Sequence, residues 1–192
     1  MEKSNIDEKI KLLTGSGMWH TQEAEGLPSV HLSDGPHGLR KQEEKERQNN
    51  VSLVSTCYPT ASALACSWDV TAAERLGRAV AKEAWNADVA VLLGPGINMK
   101  RSPLCGRNFE YFSEDPFLAG RLGAAYVSAA QGENVAVSLK HFAANNQETN
   151  RQTANSQIDE RALREIYLSA FEYVVKTARP ATVMASYNRL NG

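Results

Sequence analysis

The sequence lacks an excess of charge of either sign, which argues against several classes of partner. Its 192 residues contain 21 Lys and Arg against 22 Asp and Glu, a formal net charge of −1. Binding to nucleic acid or to an anionic membrane surface usually requires a basic excess. We therefore expect no nucleic acid and no membrane as partner, and a small neutral ligand fits the charge balance better.

Long apolar runs and paired cysteine motifs are also missing. No apolar run approaches the roughly 20 residues of a membrane-spanning helix, and the N-terminal residues contain no apolar core of a signal peptide. Cys57, Cys66 and Cys105 have no CxxC spacing, and one of the three must stay unpaired in any scheme within the chain. These features predict a reduced, cytoplasmic compartment.

The motifs of several enzyme classes are absent. Residues 94–96, Gly-Pro-Gly, are not followed by the third glycine of a dinucleotide fingerprint, and the chain has no G-x-S-x-G, P-loop or HExxH segment. The four histidines show no metal-ligand spacing with the cysteines. We expect neither an organic cofactor nor a metal, and a nucleotide-binding module is supported only by the incomplete glycine loop.

Four short apolar runs alternate with segments of helical periodicity. The predicted strands are residues 29–33, 89–93, 135–139 and 181–186, and the predicted helices are residues 6–13, 68–87, 115–132 and 159–179. This alternation is typical of an α/β protein whose parallel strands are joined by right-handed crossovers. Four such units fit a small open doubly wound sheet. They equally fit the first half of a (β/α)8 barrel, which typically needs about 250 residues, so the chain would then be truncated.

Several helices have recognisable start signals. Asp115 followed by Pro116 is typical of a cap and a first helical position, and Asp159 precedes the most regular helical pattern of the chain. Thr71 and Glu74 match a capping box near the start of the predicted helix at residues 68–87.

Charged and polar side chains follow the predicted strands at their carboxyl ends. The candidate ligand-binding residues are Asp34, Arg40, Arg107, Lys140, His141, Met184 and Tyr187. The carboxyl ends of the strands carry the chemistry of (β/α)8 barrels, and a lysine beside a histidine at the end of a buried strand requires polar partners. Their convergence favours a polar site for a ligand rich in hydroxyl groups.

Four of these candidates also have a purely structural explanation. Asp34 could brace its own turn, and Arg107 could form a structural ion pair with Glu110. His141 could be a satisfied core residue, and Tyr187 could serve packing alone.

Four motifs occur in a characteristic order. They are residues 32–40 (LSDGPHGLR), 100–110 (KRSPLCGRNFE), 140–145 (KHFAAN) and 184–188 (MASYN). With these motifs the chain resembles glycoside hydrolase family 3, in its β-glucosidase branch, essentially from end to end. The resemblance implies that residues 1–192 are the N-terminal portion of the family's catalytic barrel domain. Residues 41–52, rich in charges of both signs, would be a mobile loop within it.

The resemblance implies roles for most of the candidates. Asp34 resembles the carboxylate that accepts hydrogen bonds from the distal hydroxyls of the sugar in the −1 subsite. Arg107, Lys140 and His141 resemble the cluster that grips the neighbouring hydroxyls, and Arg40 resembles a support for that cluster.

The resemblance also implies which parts of the mechanism lie elsewhere. Met184 and Tyr187 resemble residues beneath the sugar ring and beside the nucleophile. The family's retaining reaction uses two carboxyl groups roughly 5 Å apart, a nucleophile and an acid/base. The nucleophilic Asp, in a Ser-Asp-Trp segment that this chain lacks, and the acid/base Glu are both expected beyond Gly192. No catalytic residue is therefore assigned within the chain.

A β-glucosidase function follows as the expectation from the resemblance. The chain would supply the sugar-binding half of the −1 subsite for hydrolysis, with retention, of terminal non-reducing β-D-glucosyl residues in small neutral glucosides or oligosaccharides. The alternative is a non-catalytic sugar-binding fragment or an inactive truncated product. An open barrel edge further predicts self-association.

Overall fold

The computed structural model describes residues 6–42 and 51–192 as one layered α/β structure. Its helices are α1 (Ile6–Lys11), α2 (Ala61–Ala65), α3 (Val70–Asn86), α4 (Pro116–Gln131), α5 (Glu160–Ala162) and α6 (Ser169–Ala178). Its strands are β1 (Leu32–Ser33), β2 (Val91–Leu92), β3 (Ala136–Phe142), β4 (Asn155–Ser156), β5 (Thr182–Ala185) and β6 (Arg189–Leu190). A 3-10 turn spans Asn108–Glu110, and a π turn spans Leu163–Tyr167.

The main sheet has four strands in the order β1-β2-β3-β5, all parallel. This confirms the predicted α/β architecture, with each of the four predicted strands present in shortened or shifted form. Lys140 of β3 is in register with Met184 of β5, which places these two candidate residues side by side at the carboxyl ends of the strands. A second, two-stranded parallel sheet pairs β4 with β6 and was not predicted.

The helices α3, α4 and α6 pack together over the buried strand β3. Val137 and Leu139 of β3 are fully buried, as is Val80 of α3. The approach of α3 to α4 is close, because a Cβ added at Gly77 would lie 2.5 Å from the backbone oxygen of Tyr126. This core fixes β3, whose carboxyl end carries Lys140.

Two of the three predicted helix starts are confirmed. The carboxylate of Asp115 accepts two backbone N–H groups from the first turn of the helix that follows it, and that of Asp159 accepts one. The predicted capping box of Thr71 and Glu74 is wrong. Asp69 caps α3 instead, accepting the N–H of Thr71 at 2.8 Å, because an aspartate two residues earlier reaches the free amide first.

The predicted helix at residues 159–179 is interrupted. Between α5 and α6 the N–H of Leu168 donates to the oxygen of Leu163 at 2.9 Å, five residues back, so this turn is wider than an α-helical turn. Apolar spacing does not distinguish the two kinds of turn over so short a stretch.

Residues 43–50 of the predicted charged loop lie outside the described residues. The ends of that loop are held, because Gln42 pairs with Ser52 in an antiparallel bridge and Lys41 Nζ donates to the oxygen of Ala87 at 2.6 Å. The mobility predicted for residues 41–52 stays a prediction.

None of the helices in the described ranges is long and apolar enough to cross a bilayer. All three cysteines are free thiols, with Cys57 and Cys66 exposed and Cys105 buried.

The outer side of β5 is an open sheet edge beside an apolar groove. The groove has a volume of about 700 Å³ and is lined between β5 and α6 by side chains that include Phe142, Phe171, Val175 and Val183. Phe142, Val175 and Val183 are each more than 40% exposed. Self-association through this edge remains a prediction.

Candidate functional site

The loop after β1 fixes Asp34 by backbone geometry. The N–H of Arg40 donates to the oxygen of Asp34 at 2.9 Å, which closes the loop. Gly35 has a φ of +105°, and a Cβ there would lie 2.0 Å from a backbone oxygen across the turn, so only glycine fits. From α4 the buried Tyr126 hydroxyl donates to the oxygen of Pro36 at 2.9 Å, which ties the loop to the core.

Lys140, at the end of β3, is a buried ammonium group with two acidic neighbours. Its side chain is 3% exposed, and its Nζ lies 3.4 Å from Oδ1 of Asp34 and 4.0 Å from Oε2 of Glu110. Burying a charge is costly unless it is paired, so these two carboxylates account for the position of the ammonium group.

Arg107 continues this pattern on the other side of Glu110. Its guanidinium forms a close ion pair with Glu110, and its Nε lies 4.0 Å from Oε1 of Glu148. Glu148 in turn accepts from Arg151 Nη1 at 2.9 Å. Burial opposes the charge on Arg107, but the carboxylates of Glu110 and Glu148 outweigh burial and raise the pKa of the guanidinium.

Together these side chains form an alternating row of charges, here called the charge row. Its members, in order of contact, are Asp34, Lys140, Glu110, Arg107, Glu148 and Arg151. Three acidic and three basic groups give the row no net charge. The ion pair between Arg107 and Glu110, offered above as a purely structural alternative, is present as one step of the row.

His141 lies beside the charge row as a neutral ring. Its Nε2 is 2.9 Å from Arg107 Nη2, and its Nδ1 is 3.0 Å from the hydroxyl oxygen of Tyr111. Asn145 Nδ2 donates to the same hydroxyl oxygen at 2.9 Å. Burial, together with the charges of Arg107 and Lys140, lowers the pKa of His141 to about 2, so the imidazole is uncharged at neutral pH.

Asn98 holds the main chain of His141 and was not predicted. Its Oδ1 accepts from the N–H of His141 at 2.8 Å, and its Nδ2 donates to the oxygen of His141 at 2.8 Å. Tyr111, Asn145 and Glu148 were likewise not assigned to the site. Their only sequence signal is their place in the same strand-end loops as Arg107 and His141.

The remaining candidates lie at the rim. Met184 is half-buried next to Lys140, and Tyr187 is 61% exposed with its ring centre 5.1 Å from the guanidinium carbon of Arg151. The side chain of Arg40 is exposed, and among the described residues it makes no hydrogen bond or ion pair with the charge row. The supporting role of Arg40 therefore stays a prediction.

The arrangement offers charged donors and acceptors without net charge. Lysine and arginine N–H groups and carboxylate oxygens form charge-assisted hydrogen bonds, which hold hydroxyl-rich ligands well. Within the described ranges, no three His, Cys, Asp or Glu side chains are grouped as ligands for a metal ion.

Comparison with known proteins identifies the family. The sequence profile described as the glycosyl hydrolase family 3 N-terminal domain matches residues 35–192. The chain belongs to glycosyl hydrolase family 3. It is 52% identical over its whole length to thermostable beta-glucosidase B of Acetivibrio thermocellus, covering 26% of that protein. It is 50% identical to the exo-alpha-(1->6)-L-arabinopyranosidase of Bifidobacterium longum, with 97% of the chain aligned to 25% of that protein.

Solved structures of the family agree with the fold. Beta-glucosidase 3B of Thermotoga neapolitana, in complex with glucose, superimposes with a TM-score of 0.90 at 40% identity, over 98% of this chain and 28% of that one. The chain thus spans about a quarter of the length of these relatives. The predicted family and the predicted partial barrel are confirmed, and the four-stranded parallel sheet belongs to the barrel domain of family 3.

Proposed function

We propose that this chain supplies the sugar-binding half of the −1 subsite in a family 3 β-glucosidase. The complete protein would hydrolyse terminal non-reducing β-D-glucosyl residues with retention of configuration. The observation that carries the proposal is the charge row at the carboxyl ends of the strands. β-Glucosidases among the relatives, and the relative solved with glucose, support it.

The physical character of the charge row fits a neutral sugar. A row without net charge neither attracts nor repels ions over long range, but each of its members donates or accepts strong hydrogen bonds. Asp34 is its most exposed carboxylate, at 35% against 8% for Glu110 and 21% for Glu148. Asp34 is therefore the carboxylate best placed to accept hydrogen bonds from sugar hydroxyls, while Glu110 serves mainly its two cationic neighbours.

The charge row does not offer a free catalytic carboxyl group. Asp34, Glu110 and Glu148 each lie within 4.0 Å of at least one ammonium or guanidinium nitrogen. A retaining glycosidase needs a nucleophile and an acid/base facing the glycosidic bond, roughly 5 Å apart. We assign neither role within this chain, and we place both in the rest of a protein of the relatives' length.

The decisive experiment uses the protein expressed from its whole gene. We expect hydrolysis of p-nitrophenyl β-D-glucopyranoside, with β-glucose as the first product seen by proton NMR. Lys140→Met should lower kcat/KM by roughly 100-fold, the size of one lost charged hydrogen bond. Lys176→Met is the matched control, because Lys176 is exposed on α6 and pairs only with Glu172 within the described residues. Full activity of Lys140→Met would show that the charge row does not bind the substrate.

An arabinopyranosidase activity is the second candidate. The observation in its favour is the 50% identity with the Bifidobacterium longum arabinopyranosidase, nearly as high as that with the Acetivibrio thermocellus β-glucosidase. Parallel assays with p-nitrophenyl α-L-arabinopyranoside separate the two. A higher kcat/KM for the arabinoside than for the glucoside would indicate that the −1 subsite binds arabinopyranose and not glucose.

A non-catalytic sugar-binding role is the remaining alternative. Isothermal titration of the 192-residue chain with glucose tests it directly, with Asp34→Asn as the variant that removes the exposed carboxylate. Binding that Asp34→Asn abolishes, together with no glycoside hydrolysis by the product of the whole gene, would favour a binding module over an enzyme.

A further inference from the structure

One side chain holds the main chain of His141 from both sides. Asn98 is 2% exposed, and its amide oxygen and nitrogen each form a 2.8 Å hydrogen bond with the same residue, to the N–H and the oxygen of His141. The neighbouring N–H of Ile97 donates to the oxygen of Lys140 at 2.9 Å. The loop after β2 therefore fixes the backbone from which the His141 ring projects.

The contacts of the ring select one position for its hydrogen. Arg107 carries only donors, so Nε2 of His141, 2.9 Å from Arg107 Nη2, must present its lone pair. The single hydrogen of the neutral ring then lies on Nδ1 and is donated to the hydroxyl oxygen of Tyr111, 3.0 Å away. Asn145 donates to the other lone pair of that oxygen, at 2.9 Å. Every ring contact is therefore satisfied by one tautomer.

We propose that Asn98 and Tyr111 are positioning residues that hold His141 as the neutral Nδ1–H tautomer, with its Nε2 lone pair directed at Arg107. Asn98 fixes the main chain, and Tyr111 fixes the rotation of the ring. Through the ring they give the guanidinium of Arg107 a neutral acceptor beside the carboxylates of Glu110 and Glu148. The consequence for sugar binding rests on the proposed function, but the tautomer itself does not.

The chain contains a matched control for the Asn98 contact. Asn191 forms the same pair of hydrogen bonds with Ile158, accepting its N–H at 2.9 Å and donating to its oxygen at 2.9 Å. Asn191 lies on the surface and holds a residue without a titratable ring. Loss of a two-bond amide contact as such is therefore separable from loss of the contact that positions His141.

Nitrogen NMR of the chain labelled with ¹⁵N-histidine tests the proposal. His141→Gln identifies the His141 signals among the four histidines. In the unsubstituted chain we expect a pyridine-type signal for Nε2 and a pyrrole-type signal for Nδ1. Asn98→Ala should replace them by signals of both tautomers, leaving those of His37 unchanged. Asn191→Ala should leave the His141 signals as they are.

Tyr111→Phe is the second variant, and it removes only the hydroxyl that accepts the Nδ1 hydrogen. Without that hydroxyl the ring can rotate away from Arg107, so we expect Tyr111→Phe also to lose the single tautomer. This variant decides the question if Asn98→Ala does not fold. A pyrrole-type Nε2 in the unsubstituted chain would overturn the proposal. So would His141 signals that stay unchanged in Tyr111→Phe and in every folded Asn98 variant.

Kinetics of the protein expressed from its whole gene then separate this proposal from the proposed function. Asn98→Asp retains the acceptor for the His141 N–H but puts an oxygen opposite the His141 carbonyl. We expect it to raise KM roughly tenfold with a smaller change in kcat. If no glycoside is hydrolysed by the unsubstituted protein, the proposed function fails, whereas the NMR result still decides the tautomer.

Discussion

The buried histidines should make the stability of this chain depend on pH well above the range in which carboxyl groups titrate. Burial lowers the pKa of His37 to about 4, opposed only in part by the carbonyl groups of Glu110 and Pro59. The ordinary pKa of histidine is 6.5. At a pH between about 4 and 6.5, His37 is therefore protonated in the unfolded chain and neutral in the folded chain. Stability is fully present above pH 6.5 and is lost as the pH falls towards 4.

The magnitude follows from the two pKa values. Each pH unit between them is worth about 1.4 kcal/mol, so acidification from pH 7 to pH 5 costs about 2 kcal/mol at His37. His141, whose folded pKa is about 2, contributes about as much over the same interval. We expect the free energy of unfolding to fall by about 4 kcal/mol from these two residues together, a large share of the 5–15 kcal/mol that is typical of a folded domain.

Urea unfolding followed by tryptophan fluorescence at pH 7 and pH 5 measures this difference. In His37→Gln, a side chain that does not titrate, the fall in unfolding free energy should be smaller by about 2 kcal/mol. The quantity compared is the pH difference within each variant, so a change in absolute stability does not affect it. An identical pH dependence of the unsubstituted chain and His37→Gln would refute the reasoning.

Three further perturbations follow from described contacts. Gly35→Ala should destabilise the chain by about 2 kcal/mol or more, because the positive φ and a backbone oxygen 2.0 Å from the new Cβ both oppose it; an unchanged thermal midpoint would contradict this. Tyr126→Phe leaves the buried oxygen of Pro36 without its donor and should cost about 1–3 kcal/mol in urea unfolding, and a smaller cost would mean that the oxygen finds another donor. Val183→Lys, at the open edge of β5, should reduce self-association in sedimentation velocity; if the unsubstituted chain is already a monomer, the edge does not self-associate.

The sequence was sufficient for the layout of the sheet and for part of the site. The alternation of apolar runs and helical periodicity depends on burial, which acts on whole segments, so four parallel strands were predictable, whereas their sequential order followed only from the resemblance to family 3. Because parallel strands place their carboxyl ends at one edge, Asp34, Lys140 and Met184 were expected to meet. The structure does bring Asp34 and Met184 next to Lys140.

The polar contacts between loops were not predictable from residue patterns. Asn98 acts through the main chain of His141, and a side-chain bond to a distant backbone leaves no periodicity in the sequence. Tyr111 looked like any aromatic core residue, since only its hydroxyl reaches the site.

The pairing of β4 with β6 has a consequence for the order in which the ribosome delivers the chain. Residues 143–154, which carry Asn145, Glu148 and Arg151, precede β4, and their bonds run forward to the segment around β6: Asn188 Nδ2 donates to the oxygen of Ala143 at 3.2 Å, and Arg189 N donates to the oxygen of Ala154 at 2.9 Å. Synthesis proceeds at about 5–20 residues per second, so these residues leave the ribosome seconds before their partners do. Strand β3, with Lys140, can therefore pair with β2 on the nascent chain while Glu148 and Arg151, two of the six members of the charge row, still lack the segment around β6 that supports their loop. This end of the charge row is therefore completed after the part of the sheet that it depends on has had time to fold.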